Sequence, residues 1–144
     1  MAEPTPSGDV AALQHLVLTS MLTGRPLPGA VHVPLPAAAR DQDRRPMLLL
    51  DENIAAAGGA EPNPARLGDV ELVDRARLEH LAAEGREPRY LQFDPAQQEP
   101  GRVVITVNVE AQRRTGPVRL EGVVVTFLQV GGQWVAEPPA AFAT

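Results

Sequence analysis

The chain has 144 residues, a formal net charge of −5 and neither cysteine nor lysine, so all 13 of its basic residues are arginine. These absences exclude thiolate nucleophiles, disulfides and cysteine-held metals, and equally Schiff bases, pyridoxal phosphate anchors and lysine-dependent phosphate loops. Carboxylate, histidine, tyrosine and arginine chemistry remains, because Ser7 and Ser20 lie in no nucleophile-elbow pattern.

The length predicts one domain over residues 1–144, long enough to bury an aliphatic core without staples. No basic stretch exceeds Arg44-Arg45 or Arg113-Arg114 and aromatic residues are few, which argues against a nucleic-acid partner. The apolar run Val10–Leu22 is too short to span a bilayer and follows Glu3 and Asp9 rather than a positive region. A cytoplasmic protein without membrane contact is the expectation. The arginine-only, alanine- and proline-rich composition suggests a GC-rich bacterial genome.

Residues 1–7 carry Pro4 and Pro6 and are expected to be a flexible N-terminus. Ser7 stands where an N-cap belongs, Asp9 complements the positive helix end, and Val10, Leu13, Val17 and Met21 recur at helical spacing until Gly24 and Pro26. Residues 24–46 form a proline-rich irregular region, within which Val31, Val33 and Leu35 alternate as a short edge strand. Met47–Leu50 is a short apolar run, Asp51–Ala57 a helical turn and Gly58–Pro64 a loop.

Asp74 reads as the N-cap of a second helix, with Val73 and Leu78 at staple spacing and Gly85 as its stop. Strands then follow in series. Arg89–Asp94 puts Tyr90 and Gln92 on one face and Leu91 and Phe93 on the other. Val103, Ile105, Val107, Val109 and Ala111 alternate with Val104, Thr106, Asn108, Glu110 and Gln112. Val118–Val130 is apolar on both faces, with a bulge or bend expected at Gly122. Gly131-Gly132 predicts a two-residue hairpin returning Trp134 and Val135 beside that strand, and Pro138-Pro139 ends the return.

This order, carried by "ELVDRARLEHLAAEG", "RYLQF", "RVVITVNVEA" and "VRLEGVVVTFLQVGGQW", resembles the NTF2-like, or cystatin-like, α+β superfamily. The resemblance implies a curved antiparallel sheet wrapped as a cone around the helices. It also implies a range of roles, from isomerases, cyclases and dehydratases to ligand-binding, dimerising and immunity modules. The proline-broken residues 24–68 depart from the pattern, standing where typical members have their middle helices.

Enzymatic members of the superfamily place Asp, His or Tyr inside the cone, and His15, His80, Tyr90 and Asp94 are the local candidates. Each has a plainer reading: solvent-facing histidines, a structural tyrosine, and an aspartate opening an Asp-Pro turn. The charged run Arg40–Arg45 lacks the glycine and distal glutamate of a calcium loop, and His15, His32 and His80 show no ligand spacing, so no metal or cofactor is expected. The leading reading is a non-enzymatic binding or interaction module. Tyr90, His80 and Trp134 would line a small apolar ligand pocket, and the sheet face of Val123, Val125 and Phe127 would make a homodimer. Coverage of that face within one chain is the other arrangement. An acid–base isomerase, cyclase or dehydratase is the alternative function. A third is an immunity-type protein partner using Glu61, Asp69, Glu71, Asp74, Glu79 and Glu84, against which the interspersed arginines argue.

Overall fold

The computed structural model describes residues 7–40, 47–54 and 70–143. Its elements are α1 (Ser7–Thr23), α2 (Ala37–Arg40), β1 (Met47–Leu50), β2 (Val70–Val73), α3 (Arg75–Ala83), β3 (Arg89–Phe93), β4 (Gln97–Glu99), β5 (Arg102–Arg113), β6 (Gly116–Val130), β7 (Gln133–Ala136) and β8 (Ala140–Ala143). They form an α+β fold with a curled, half-barrel sheet of order β2-β1-β3-β5-β6-β7; β4 pairs with β5 and β8 with β6.

Strands β3 to β8 pair antiparallel, as the fold class expects, whereas β1 runs parallel to both β2 and β3. Parallel strands bury both faces, and all four residues of β1 are buried accordingly. Leu49 joins the main core with α1, and Leu48 and Leu50 join a smaller cluster with Val73, Leu78 and Tyr90. That cluster contains the staple pair, and Asp74 caps α3 by accepting the Arg77 N–H at 2.7 Å. The helix closes with a Schellman pair, Arg86 N–H to Leu81 O at 3.1 Å and Gly85 N–H to Ala82 O at 3.0 Å, for which Gly85 takes a φ of 86°.

The period-2 alternation sets the main core. Leu91, Phe93, Val103, Ile105, Val107, Val109, Val123, Val125 and Phe127 share one sheet face and pack with Val10, Leu13, Val17 and Leu18 of α1. Val123, Val125 and Phe127 are therefore sealed inside a single chain at 0–1 % exposure, and cannot form the dimer face expected of them. The physical reason is parity: they stand opposite Val107, Ile105 and Val103, which α1 already covers.

Three further local expectations change. The residues Val31–Leu35 make no strand: Val31 forms one bridge with Leu27, and Val33 is buried with its N–H on the Ser20 hydroxyl at 2.9 Å. Asp51–Ile54 is a turn with Asn53 at a φ of 62°, and the rest of the expected helical turn lies outside the described residues. The bulge falls just before Gly122: Val109 opposes Glu121 and Glu110 opposes Arg119, so Leu120 is the extra residue and turns toward the main core.

Gly122 has another role. It pairs with Phe142 on β8, and a Cβ built there would lie 2.2 Å from the Phe142 ring. The glycine is thus a seat for the ring. Gly122→Ala is expected to destabilise the protein by about 1–3 kcal/mol in urea unfolding, an overpacking cost. In the Phe142→Ala background the same change should cost much less, since the ring is gone.

Candidate functional site

The opposite face of β3, β5 and β6 is where the chain gathers its polar chemistry. Tyr90 and Gln92 on β3 stand beside Glu110 and Asn108 on β5, and Glu110 stands beside Arg119 on β6. The sequence pattern marks these positions as the non-core phase of the strands. The structure nevertheless buries Tyr90, Gln92, Asn108, Glu110 and Gln112.

Burial is tolerated because these groups, Asn108 Oδ1 excepted, satisfy one another. The Tyr90 hydroxyl donates to Glu110 Oε1 at 2.9 Å and accepts from Arg75 Nη1 at 2.8 Å; the same nitrogen donates to Gln112 Oε1 at 2.9 Å. Arg119 Nη2 bridges Glu110 Oε2 at 3.7 Å and Asp94 Oδ1 at 3.4 Å. Asn108 Nδ2 donates to Asp94 Oδ1 at 2.9 Å and to Gln92 Oε1 at 3.0 Å, while Asn108 Oδ1 is buried without a protein partner. Glu52 adds a carboxylate 3.6 Å from Arg75.

Electrostatics follow the geometry. Burial raises the Tyr90 pKa well above its ordinary value; the Arg75 hydrogen bond opposes this and Glu110 reinforces it. Burial works against the charge of Arg75, but Tyr90, Glu52 and Glu110 outweigh it and its pKa is raised. Tyr90 is a neutral donor at physiological pH, locked between a cation and an anion.

The expected site residues separate. Tyr90 and Asp94 belong to the network. His80 is an exposed residue of α3 paired with Glu84 at 3.0 Å. Trp134 packs on the main core with its Nε1 3.4 Å from Asp9 Oδ2, in a different neighbourhood from Tyr90. His15 is half-buried on α1 with Nδ1 buried and unpartnered. Among the described residues no three His, Asp or Glu side chains form a metal-binding group, and no helix is long and apolar enough to cross a membrane. Asp41–Arg45, Glu61 and Asp69 lie outside the described residues.

Glu52, Arg75, Gln92, Asn108, Glu110, Gln112 and Arg119 are the members that sequence reading missed. The signal was a strand phase bearing amide, carboxylate and amide at positions 108, 110 and 112, opposite Gln92 and Tyr90. Only the register shows that these residues meet.

Beyond the network the same face turns apolar. Val124, Thr126, Leu128 and Val130 follow one another on β6, beside Val104 and Thr106 of β5; all six are uncharged, and Val130 is 61 % exposed. Neither a protein-family model nor a curated protein nor a solved structure matches the chain.

The network makes a pH prediction. The unfolded chain ionises Tyr90 near 10.0, whereas the folded chain holds the proton to higher pH. Stability is therefore kept below that pH and falls as the pH rises above it. Tyr90→Phe should flatten this alkaline slope in denaturant midpoints while costing about 1–3 kcal/mol at neutral pH, because Arg75 and Glu110 lose a partner. Tyr90 is the single tyrosine, so tyrosinate absorbance in the native protein should lag behind that of the unfolded chain.

Proposed function

We propose that the protein is a small, non-enzymatic interaction module of NTF2-like type that pairs with a second copy of itself. The family reading rests on the curled sheet, the helices before β3 and the Gly131-Gly132-Gln133-Trp134 return. The pairing surface is the outer row Val124–Thr126–Leu128–Val130 with Thr106 beside it, a different face from Val123, Val125 and Phe127. The observation that carries it is that this row is uncharged and reaches the surface, with Val124, Thr126 and Leu128 partly exposed and Val130 exposed, while the polar residues further along the face are tied to one another. An uncharged aliphatic and threonine surface next to a rim of Arg102 and Glu99 suits a self-complementary contact.

Sedimentation of the wild type is expected to show a reversible dimer. Leu128→Arg combined with Val130→Arg should weaken it by at least about tenfold without loss of fold, since both side chains reach the surface. A wild type that remains monomeric at high concentration, or a variant that dimerises unchanged, would remove the proposal.

A second reading has its own observation. Asp94 and Glu110 share Arg119 with Tyr90 and Asn108 close by, and the Asp94 side chain keeps 33 % of its surface exposed. This set would serve an acid–base isomerase, cyclase or dehydratase, with Asp94 as the solvent-facing base and Tyr90 as donor. Under that reading Asp94→Asn abolishes turnover of a carbonyl substrate while dimerisation persists; under the interaction reading both proteins are equally inert.

A further inference from the structure

At the far end of Gln112 the fold opens into a cleft of about 590 Å3. Glu79 and Ala83 of α3 form one wall, and the β5–β6 hairpin from Gln112 through Arg113, Arg114 and Thr115 to Pro117 forms the other. A second cleft of about 380 Å3 adjoins it, sharing Arg113, Arg114 and Thr115 and adding Ala82, Gly85, Arg86 and Glu87. Arg114 is common to both. The two concavities make one trough around its side chain.

The three arginines of this trough are not equivalent. Arg113 is matched by Glu87 at 3.4 Å and Arg86 by Glu84 at 3.8 Å. Arg114 reaches across to the last turn of α3, with Nε 3.4 Å from Ala82 O and Nη2 3.4 Å from Ala83 O. Among the described residues no carboxylate pairs with it. Both contacts are at the long limit of a hydrogen bond, and a guanidinium has five N–H donors in a planar fork. An oxyanion would satisfy that fork at shorter range and with full charge, where the helix carbonyls offer only partial charge.

The floor and opposite wall narrow the choice of ligand. Gln112 is 2 % exposed and its amide is held by Arg75 and by the Arg113 carbonyl, so it is a fixed surface. Thr115 supplies a hydroxyl on the same hairpin. Glu79 across the cleft repels a second negative charge near α3.

The geometry points to this trough as a binding site for a small oxyanion, a carboxylate or phosphate group, whose negative end is taken by Arg114 with Thr115 beside it. It is independent of the dimer row, which lies on the β6 and β7 side of the sheet. An acidic chain thereby presents a local seat for an anion that its net charge of −5 would otherwise disfavour.

Amide NMR titration with sodium acetate and with sodium phosphate, each against sodium chloride at matched ionic strength, tests the site. Saturable shifts are expected at Ala83, Arg114, Thr115 and Gly116, and the stronger of the two probes tells carboxylate from phosphate. Arg114→Gln should weaken binding about tenfold or more, while Arg25→Gln, the same charge change elsewhere on the surface, should leave it unchanged. Glu79→Gln should tighten it a few-fold, a direction that damage to the fold would not produce. Shifts that chloride reproduces, shifts that survive Arg114→Gln, or weaker binding in Glu79→Gln would each overturn the proposal.

Discussion

The long pairing of β5 with β6 is the constraint on which the rest depends. It runs from Arg102 opposite Leu128 to Arg113 opposite Gly116, and it assigns every side chain of both strands to one of two faces. One face holds five valines, Ile105 and Phe127 against α1, and its burial is the main source of folding free energy. Once that face is committed to the core, Asn108, Glu110, Gln112, Arg119 and the row Val124–Val130 have no choice but the other.

The bulge at Leu120 keeps both faces coherent. Without it, the residues after Glu110 would slip by one, and either Arg119 would enter the core or Val123 would leave it. With it, Arg119 stays opposite Glu110 while Glu121 moves to the core-side rim, where its carboxylate accepts the Ala38 N–H at 3.3 Å. The insertion thus also anchors α2, which Arg89 holds from the other side through Ala38 O at 2.8 Å.

The second face divides by what covers it. Under α3 the chain packs a polar network, and a buried network is tolerable only when its members satisfy each other. Arg75 pairs with Glu52 and Arg119 with Asp94 and Glu110, and Tyr90 stays protonated between Arg75 and Glu110. Toward β7 the row Val124, Thr126, Leu128 and Val130 is uncharged and reaches the surface. Where the hairpin turns back beside α3, the same architecture leaves the trough around Arg114. A dense interior, a partly exposed uncharged row and a cleft beside the β5–β6 hairpin are three consequences of one two-faced ladder.

Sequence alone determined the elements whose signals are local. Helical spacing gave α1, the Asp74 cap with its staple gave the start of α3, Gly85 gave its stop, and alternation gave β3, β5 and β6 with the Gly131-Gly132 return. Tyr90 and Asp94 were singled out by residue type. Tertiary structure decided everything that depends on which strands become neighbours: the parallel placement of β1, the short strands β4 and β8, the ring of Phe142 on Gly122, and the sealing of Val123, Val125 and Phe127 beneath α1. It also joined Tyr90 to Arg75, Glu110 and Arg119, residues 15 to 29 positions away along the chain. Period and propensity report which face a side chain shares with its own strand, whereas register and helix docking decide what lies opposite that face.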